Sequence, residues 1–473
     1  MPNSAPSKDV SLRAIPSVDQ LLRTDEVAQL RTVVGLPRLT AIAREVTEEL
    51  RNEAHSKDVP ETTKDDLLKQ AVERIQSLCQ DDALSGIRRV INATGVILHT
   101  NLGRAPLSEA ARQAVAHEAA GYCTLEYDAV TGSRGKRGGH AEELLTHLTG
   151  AESALVVNNC ASAALLILTV LAETGETLVS RGELVEIGGD FRVPEVMANS
   201  GTSMVEVGST NRTRLEDYKR AINHNTRLIM RVHPSIYRII GFTAAPELSQ
   251  LASLAHESNL PLYEDAGSGV LTDLSAYGIV DEPIISESIL AGADVVSFSG
   301  DKLLGATQAG LIVGRREIVD RLRKHSLYRA LRVDKLCLAA LEATLDAHRR
   351  GAIEEIPALQ MLGLSPALIE NRVRHVIDRI NEAGEGDSGG LTTSIVAGNS
   401  AVGGGSGPNV HPPTTLLALK HAELKADEVE QRLRACSPPV ITRIADDLVL
   451  LDLRTVAIDE EPELLAALQS LQS

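Results

Sequence analysis

The middle of the chain, from about residue 88 to 350, alternates short β-branched runs with helical stretches, and this alternation constrains the fold most strongly. Runs such as "SALVV", "RLIMRVH", "LPLYED" and "DVVSFS" have the length and composition of buried strands, and stretches such as "LSQLASLAHESN" separate several of them. Repeated strand–helix units predict an α/β fold with a mostly parallel sheet covered by helices on both faces. Ligands bind to such sheets beyond the carboxyl ends of the strands.

The regions before and after residues 88–350 differ from this middle region in their sequence pattern. Residues 1–85 are polar and helical, and "SVDQLLRTDEVAQLRTVV" begins with Ser17, a residue type that caps helices. Residues 351–473 mix helices with strands such as "DLVLLDLRTV" and predict a small α+β domain, which leaves 86–350 as the large domain. Within the small domain, "VAGNSAVGGGSGPNVHPP" fits either a flexible linker or a tight, ordered turn.

Composition narrows the class of protein. The net charge of −17 argues against a general nucleic-acid binder, although residues 315–335 carry eight Lys or Arg against three Asp or Glu. Aromatic residues make up 2% of the chain and Trp is absent, which disfavours a base-stacking platform. The chain has no apolar run near the roughly 20 residues that cross a bilayer. Five scattered cysteines form no CxxC, so we expect no metal site or disulfide and a reducing cytoplasm.

A strand-to-helix junction is the first candidate binding element. In "VVNNCASAALL", residues 156–166, a strand runs directly into a helix that opens with small residues. The free N–H groups and the dipole at such a helix start favour a phosphate, while close packing of the helix on the sheet would use the same small residues. The stretch lacks GxGxxG and GxxxxGK[ST], which disfavours a dinucleotide site or a P-loop.

Two further candidates lie at later strand ends. Asp265 ends the apolar strand of "LPLYEDAGSGV", where an acid either caps the following turn or binds a ligand. Ser299 and Lys302 form an SxxK pair in "DVVSFSGDKLLGATQAGLIVG", between two apolar runs. A lysine in a partly desolvated pocket has a lowered pKa and forms a Schiff base with a carbonyl, whereas a structural lysine would extend its ammonium to solvent.

Together, and in this order, the three elements favour one cofactor. Pyridoxal 5′-phosphate (PLP) needs a phosphate anchor, an acid beside its pyridinium nitrogen and a lysine that forms an aldimine. A strand–helix turn, an acid about a hundred residues later and a lysine some 35 residues beyond it are typical of the aminotransferase-like (fold type I) PLP enzymes. The sequence therefore predicts an enzyme of that fold.

Longer stretches are similar to one family within that class, the bacterial selenocysteine synthases or L-seryl-tRNA(Sec) selenium transferases. They are "LPRLTAIAREV" and "RRVINATGVILHTNLGRAPLSEAA", then "LEYDAVTGSRGKRGGHAEELLTHLTGAESALVVNN" and "SRGELVEIGGDFRVPEVMANSG", and then "EVGSTNRT", "YRIIGFT", "EDAGSGVLTDLS", "SGDK", "YRALRVDKL", "GGGS" and "VLLDLRT". These stretches cover nearly the whole chain. The resemblance departs at Cys160, Pro234, Ala306 and Thr307, none of which replaces an expected catalytic side chain.

The resemblance implies a reaction and roles for residues. Seryl-tRNA(Sec) would displace Lys302 from the PLP aldimine, lose its β-hydroxyl to give an aminoacrylyl-tRNA, and accept selenium from selenophosphate. Asp265 would pair with the pyridinium nitrogen, and Asp301 would position or protonate reacting groups. The phosphate contacts implied are Asn159, Cys160, Ala161, Ser162 and Ser299. The arginines implied for the selenium donor are Arg104, Arg329 and Arg332, and the candidates for stacking on the cofactor ring are His233 and Phe191.

The resemblance also implies partners. Residues 1–85 would recognise the tRNA by its shape, although residues 1–60 carry eight basic against nine acidic residues. The protein would be a cytoplasmic homo-oligomer, a decamer built as a pentamer of dimers with shared active sites. Two other functions compete with this one. They are a related PLP-dependent lyase or ammonia-lyase acting on a free amino acid or amino sugar acid, and a non-catalytic tRNA-binding scaffold.

Overall fold

A computed structural model describes residues 14–55, 63–83, 86–187, 191–383 and 390–472. The chain divides into two compact units, Met1–Arg89 and Val90–Ser473. Within the described ranges, no helix is long and apolar enough to cross a membrane. All five cysteines are described and all are free thiols.

The first unit is helical, as the sequence predicts. Its helices are α1 (Val18–Leu22), α2 (Asp25–Val34), α3 (Leu36–His55) and α4 (Lys64–Ala83). The Ser17 side chain accepts the N–H of Gln20 at 3.2 Å, so the predicted cap is confirmed. The buried residues of the four helices form one apolar core: Leu21, Val27, Leu39, Ile42, Ala43, Val46, Leu50, Ala71, Ile75 and Cys79.

The second unit is built around a seven-stranded sheet. Its strands are β4 (Ser153–Val157), β5 (Glu176–Ser180), β8 (Ser203–Val207), β9 (Thr226–Val232), β10 (Leu262–Gly267), β11 (Val295–Ser299) and β12 (Gly310–Gly314). Their order is β4–β12–β11–β10–β9–β5–β8. All neighbours pair in parallel except β12, which runs antiparallel between β4 and β11. The predicted mostly parallel sheet is confirmed.

The remaining strands are short or belong to a second sheet. They are β1 (Ile91–Asn92), β2 (Tyr127–Asp128), β3 (Ser133–Arg134), β6 (Glu186–Ile187), β7 (Phe191–Arg192), β13 (Leu391–Asn399), β14 (Pro413–His421), β15 (Val440–Ile441), β16 (Arg443–Ala445) and β17 (Leu448–Asp452). The strands β13–β14–β17–β16 form a four-stranded antiparallel sheet in that order.

The helices of the second unit surround these sheets. They are α5 (Glu109–Ala119), α6 (Gly139–Thr149), α7 (Cys160–Ala172), α8 (Val193–Asn199), α9 (Leu215–Ala221), α10 (Leu248–Glu257), α11 (Ile285–Leu290), α12 (Arg316–Lys324), α13 (Ser326–Leu331), α14 (Lys335–Arg350), α15 (Pro357–Gly363), α16 (Pro366–Ala383), α17 (Ala426–Arg434) and α18 (Glu461–Gln469).

Both faces of the large sheet are covered by helices. Alternate residues of β4 point to opposite faces, as the two-residue period of a strand requires. Leu155 and Val157 pack in a cluster with residues of α7 and α12, whereas Ala154 and Val156 pack in a cluster with residues of α6 and α14. Strands β4, β11 and β12 are buried on both faces, and they are therefore continuous apolar runs in the sequence.

The glycine-rich segment of the C-terminal region is an ordered turn and not a linker. Gly403, Gly404, Gly405 and Gly407 all have positive φ angles, between 52° and 77°. The turn is anchored to the start of the unit, since the N–H of Leu98 donates to the carbonyl of Val402 at 2.8 Å. The predicted boundary between domains 86–350 and 351–473 coincides with the end of α14 at Arg350 and stays a prediction.

Candidate active site

Three predicted site elements meet at one edge of the large sheet. Strands β4, β10 and β11 run in the same direction, so their carboxyl ends lie together. Asn159 follows the end of β4, Asp265 lies near the end of β10, and Lys302 follows the end of β11. This is the edge at which parallel α/β sheets bind ligands.

Lys302 is held in a tight loop and is 4% exposed. The loop between β11 and β12 is closed by the N–H of Gly300, which donates to Ala309 at 2.9 Å, and by the N–H of Ala306, which donates to Gly300 at 2.8 Å. Among the described residues, Nζ of Lys302 has no hydrogen-bond or ion-pair partner. A buried amine without a partner is costly as a free ammonium and is available for a carbonyl.

Asp265 is buried beside this lysine, and its Oδ1 accepts three hydrogen bonds. The donors are the N–H of Gly267 and the hydroxyl of Ser297, each at 3.2 Å, and the thiol of Cys160 at 3.5 Å. Burial raises the pKa of Asp265, and the Cys160 hydrogen bond and the positive charge of Lys302 oppose that rise. Oδ2 accepts no hydrogen bond from a described residue, so this oxygen is available for another donor.

Cys160 therefore directs its thiol toward the acid. Burial raises the pKa of the Cys160 thiol far above its ordinary range, which keeps the thiol protonated and able to donate to Asp265. The hydroxyl of Ser297, which also contacts the thiol at 3.7 Å, is bonded in turn to the phenol of Tyr263 at 2.8 Å. A local chain of four polar side chains thus holds the carboxylate in place.

The turn from Asn159 to Ser162 opens helix α7. The side chain of Asn159 accepts the N–H of Ser162 at 2.8 Å, and its carbonyl accepts the N–H of Ala163 at 3.1 Å. Asn159 is therefore a helix cap. Because the cap occupies the Ser162 amide, the amides of Cys160 and Ala161 are the ones without a partner in the helix. Ser299, at the end of β11, is 4% exposed.

These features fit PLP. The partnerless amine of Lys302 matches an aldehyde, the open oxygen of Asp265 matches a protonated ring nitrogen, and the free amides at the start of α7 match a phosphate. The fit rests on side chains from three strands that lie at one edge of the sheet.

The three predicted arginines differ in their contacts. Arg104, which has a φ of 63°, places Nη1 2.9 Å from Oδ2 of Asp301. Arg332 places Nη1 3.5 Å from Oε1 of Glu126, and its buried Nε has no hydrogen-bond partner within the described ranges. Arg329 is exposed at the end of α13. Among the described residues, Arg104 shares no hydrogen-bond partner with Arg329 or Arg332.

The structure also shows polar residues that sequence reasoning missed. Glu126 binds Arg137 at 2.7 Å and Arg134 at 2.9 Å in addition to Arg332. Ser297 could have been found from the sequence, because it lies two residues before Ser299 and therefore on the same face of the strand.

A third missed residue, Glu282, has no local signal in the sequence. It contacts His233, one of the two candidates for stacking on the ring, at 3.2 Å. The other candidate, Phe191, has its backbone in β7, but its side chain lies outside the described part of the structure.

The mostly parallel sheet, with a buried lysine, a buried acid and a capped strand–helix turn at one edge, defines a fold type I PLP-dependent enzyme. A family model described as "L-seryl-tRNA selenium transferase" matches residues 90–457, and one described as "Selenocysteine synthase N terminal" matches residues 12–51. The chain belongs to the L-seryl-tRNA selenium transferase family, and PLP is its cofactor.

Similar proteins match over almost the whole chain. An L-seryl-tRNA(Sec) selenium transferase of Geobacter sulfurreducens is 45% identical over 97% of this chain and 99% of its own length. One of Moorella thermoacetica is 46% identical over 97% of this chain and 96% of its own. The structure of a D-glucosaminate-6-phosphate ammonia-lyase superimposes with a TM-score of 0.55 at 22% identity, covering 82% of this chain and 96% of that one, which shows a shared fold.

Proposed function

We propose that this chain converts L-seryl-tRNA(Sec) to L-selenocysteinyl-tRNA(Sec), with selenophosphate as the selenium donor. The observation that carries the proposal is the buried, partnerless Lys302 beside Asp265, in a chain that is 45% identical along 97% of its length to a transferase of that name. The net change replaces the β-hydroxyl of the esterified serine by a selenol.

Lys302, Asp265 and the start of α7 would hold the cofactor. Bound PLP supplies a ring that withdraws electrons from the carbon next to the substrate amine. Asp265 would keep a proton on the ring nitrogen through Oδ2, while the three donors on Oδ1 keep its carboxylate in position. The amides of Cys160 and Ala161, together with Ser299, would bind the phosphate.

The same residues would handle the protons of the reaction. Once the substrate amine takes its place, Nζ of Lys302 is free to remove the Cα proton and to return a proton after selenium has added. Asp301, which is 6% exposed and bonded to Arg104, would orient that arginine and assist the departure of the hydroxyl. Asp301 and Lys302 are consecutive residues in the loop that follows β11, so both would act on the same bound substrate.

The selenium donor is a small, multiply charged anion, and we assign it to Arg104, Arg329 and Arg332. Guanidinium groups bind such anions with paired, charge-assisted hydrogen bonds. We further propose that the protein works as a homo-oligomer, a decamer of five dimers, as the resemblance to the selenium transferases implies.

The remaining questions are how the tRNA is recognised and where in the cell the reaction occurs. We propose that the helical unit of residues 1–85 recognises the tRNA by shape and that the reaction occurs in the cytoplasm, where charged tRNA is used. A mainly shape-based contact suits a unit whose basic and acidic residues are nearly balanced.

The decisive experiment uses the purified protein reconstituted with PLP. It is supplied with labelled seryl-tRNA(Sec) and selenophosphate, and the amino acid released from the tRNA is identified. We expect selenocysteine from the unchanged protein and none from Lys302→Ala, which should also lose the absorbance band of the lysine-bound cofactor. Lys324→Ala, on the exposed side of α12, is the matched control and should retain both. Turnover of a free amino acid or amino sugar acid without a product on tRNA would refute the proposal.

A further inference from the structure

The buried carboxylate of Glu282 joins three segments at the edge of the sheet that carries Lys302. Its side chain is 3% exposed. Oε2 lies 3.2 Å from Nε2 of His233 and accepts a hydrogen bond from the hydroxyl of Ser268, while Oε1 accepts the N–H of Gly407 at 2.6 Å. None of the roles proposed above uses Glu282.

Each of these partners is already tied to the candidate cofactor site. His233 directly follows β9, and its N–H donates to the carbonyl of Asp265 at 2.9 Å. Ser268 follows β10 and Gly267, whose N–H binds the Asp265 carboxylate. Gly407 belongs to the ordered glycine turn of the C-terminal region. One side chain thus links two strand ends with a segment more than a hundred residues away.

The charge of Glu282 determines how His233 is held. Burial by itself would raise the pKa of Glu282, but the hydrogen bonds from His233, Ser268 and Gly407 together lower it. An ionised carboxylate only accepts hydrogen bonds, so the proton of the pair lies on Nε2 of His233. Nδ1 has no hydrogen-bond partner among the described residues and is the ring nitrogen left for a ligand.

We propose that Glu282 is a positioning residue of this active site. It fixes the orientation and tautomer of His233, so that Nδ1 is the ring nitrogen available at this end of the strands to a hydrogen-bonding group of the cofactor or the serine. It also holds the glycine turn against the same edge. A carboxylate that orients an imidazole in this way is known to matter for the imidazole's function. The inference rests on the proposed function; it adds Glu282 to that site and gives His233 a hydrogen-bonding role there.

The fold supplies a matched control at the other end of the sheet. Asp294 precedes β11, is 2% exposed, and lies 3.0 Å from Nε2 of His256. It also accepts hydrogen bonds from Arg315 and from the N–H of Leu262. This pair repeats the buried carboxylate–imidazole chemistry but lies at the amino ends of the strands, away from Lys302.

The first test compares Glu282→Gln, Glu282→Asp and Asp294→Asn as holoenzymes, with seryl-tRNA(Sec) and selenophosphate as substrates. Glu282→Gln keeps the shape and removes the charge, and we expect kcat to fall roughly 10- to 100-fold, as for other residues that orient a ligating histidine, with a smaller change in KM. Glu282→Asp should recover part of the loss, and Asp294→Asn should keep its kcat per bound cofactor. Wild-type kcat in Glu282→Gln would overturn the inference.

A double-mutant cycle tests whether Glu282 acts through His233. In a His233→Ala background, Glu282→Gln should cause little further loss, because the residue it positions is already absent. Fully additive losses would contradict the inference.

Hydrogen exchange gives a measurement that needs no turnover. In both the holoenzyme and the cofactor-free protein, Glu282→Ala should speed exchange in the peptide containing Gly407, since its amide loses its acceptor, and Asp294→Asn should not. Unchanged exchange would refute the link to the glycine turn. If Glu282→Ala does not fold, the kcat of Glu282→Gln and the double-mutant cycle with His233→Ala still test the inference. If the wild type forms no selenocysteinyl-tRNA, the proposed function fails, while the exchange result still tests the link.

Discussion

Replacing Gly310 by alanine should displace the turn that we propose binds the phosphate, because Gly310 packs directly against that turn. Gly310 begins β12 and pairs with Val157 at the end of β4. A Cβ at this position would lie 2.0 Å from the carbonyl oxygen of Asn159 and 2.4 Å from its carbonyl carbon. Carbon atoms essentially never approach within 3.0 Å of such atoms, so the strand or the turn must move by about 1 Å.

The size of the effect follows from what the Asn159 carbonyl does. Overpacking against rigid backbone costs about 1–3 kcal/mol of stability. The displaced carbonyl also accepts the N–H of Ala163 at 3.1 Å, the first hydrogen bond of α7, and its residue caps the helix. Loss of such a cap costs about 1 kcal/mol. We therefore expect Gly310→Ala to lower the free energy of unfolding by about 2–4 kcal/mol.

The same displacement should weaken cofactor binding. If the strain raises the free energy of the PLP-bound state by about 1.4 kcal/mol relative to the cofactor-free state, the Kd for PLP rises tenfold. Urea unfolding of the cofactor-free protein at a fixed protein concentration measures the first effect, and titration of PLP followed by absorbance measures the second.

A glycine in open space is the control for this substitution. Gly121 has no atom within 4 Å of an added Cβ, and Gly121→Ala should change stability by less than about 0.5 kcal/mol. Gly310→Ala with the stability and PLP affinity of the wild type would refute the reasoning, because the close approach of β12 to the turn would then have no consequence.

Two further predictions concern the charged residues of the site. Burial raises the pKa of Asp265 above its ordinary 3.8, so the folded protein binds this proton more tightly than the unfolded chain and the ionised acid costs stability at neutral pH. Cofactor-free Asp265→Asn should therefore have a higher free energy of unfolding than the wild type at pH 7. This difference in stability should shrink as the pH falls through the raised pKa of Asp265. Urea unfolding measures it, and a difference that grows as the pH falls would contradict the prediction. Arg329→Ala should raise KM for selenophosphate roughly tenfold, the loss of one charge-assisted hydrogen bond, with an unchanged cofactor spectrum. Arg374→Ala, at an exposed position of α16, is the control and should change neither the KM for selenophosphate nor the cofactor spectrum. If Arg329→Ala lost cofactor binding and selenium addition equally, that result would argue against an anion site.

The local structure around the site could be predicted well from the sequence. The apolar runs "DVVSFS" and "GLIVG" correspond to β11 and β12, and the turn between them carries the lysine. The strand before Asn159 and the helix after it were also predicted. Such features depend on residues that are near in sequence, because apolar periodicity and turn chemistry act over a few positions.

The partners of the site residues could not be predicted in the same way. The thiol of Cys160 lies on the carboxylate of Asp265, and the carboxylate of Glu282 reaches Gly407. Each contact joins segments separated by more than a hundred residues, and nothing in either segment specifies the other. The glycine-rich stretch illustrates the problem, since its composition fits a linker and its ordered conformation depends on contacts with distant segments such as Val402 with Leu98.

The sequence by itself determined the alternation of strands and helices, the likeness to the selenium transferases, and the presence of a lysine, an acid and a capped turn at strand ends. The tertiary structure decided which strand ends are neighbours, by placing β12 antiparallel between β4 and β11 and so aligning the ends of β4, β10 and β11. It also decided that Lys302 is buried and has no hydrogen-bond or ion-pair partner in the part of the chain that the structure describes. The physical reason is that strand propensity is a local property, whereas strand order and burial depend on packing of the whole sheet against its helices.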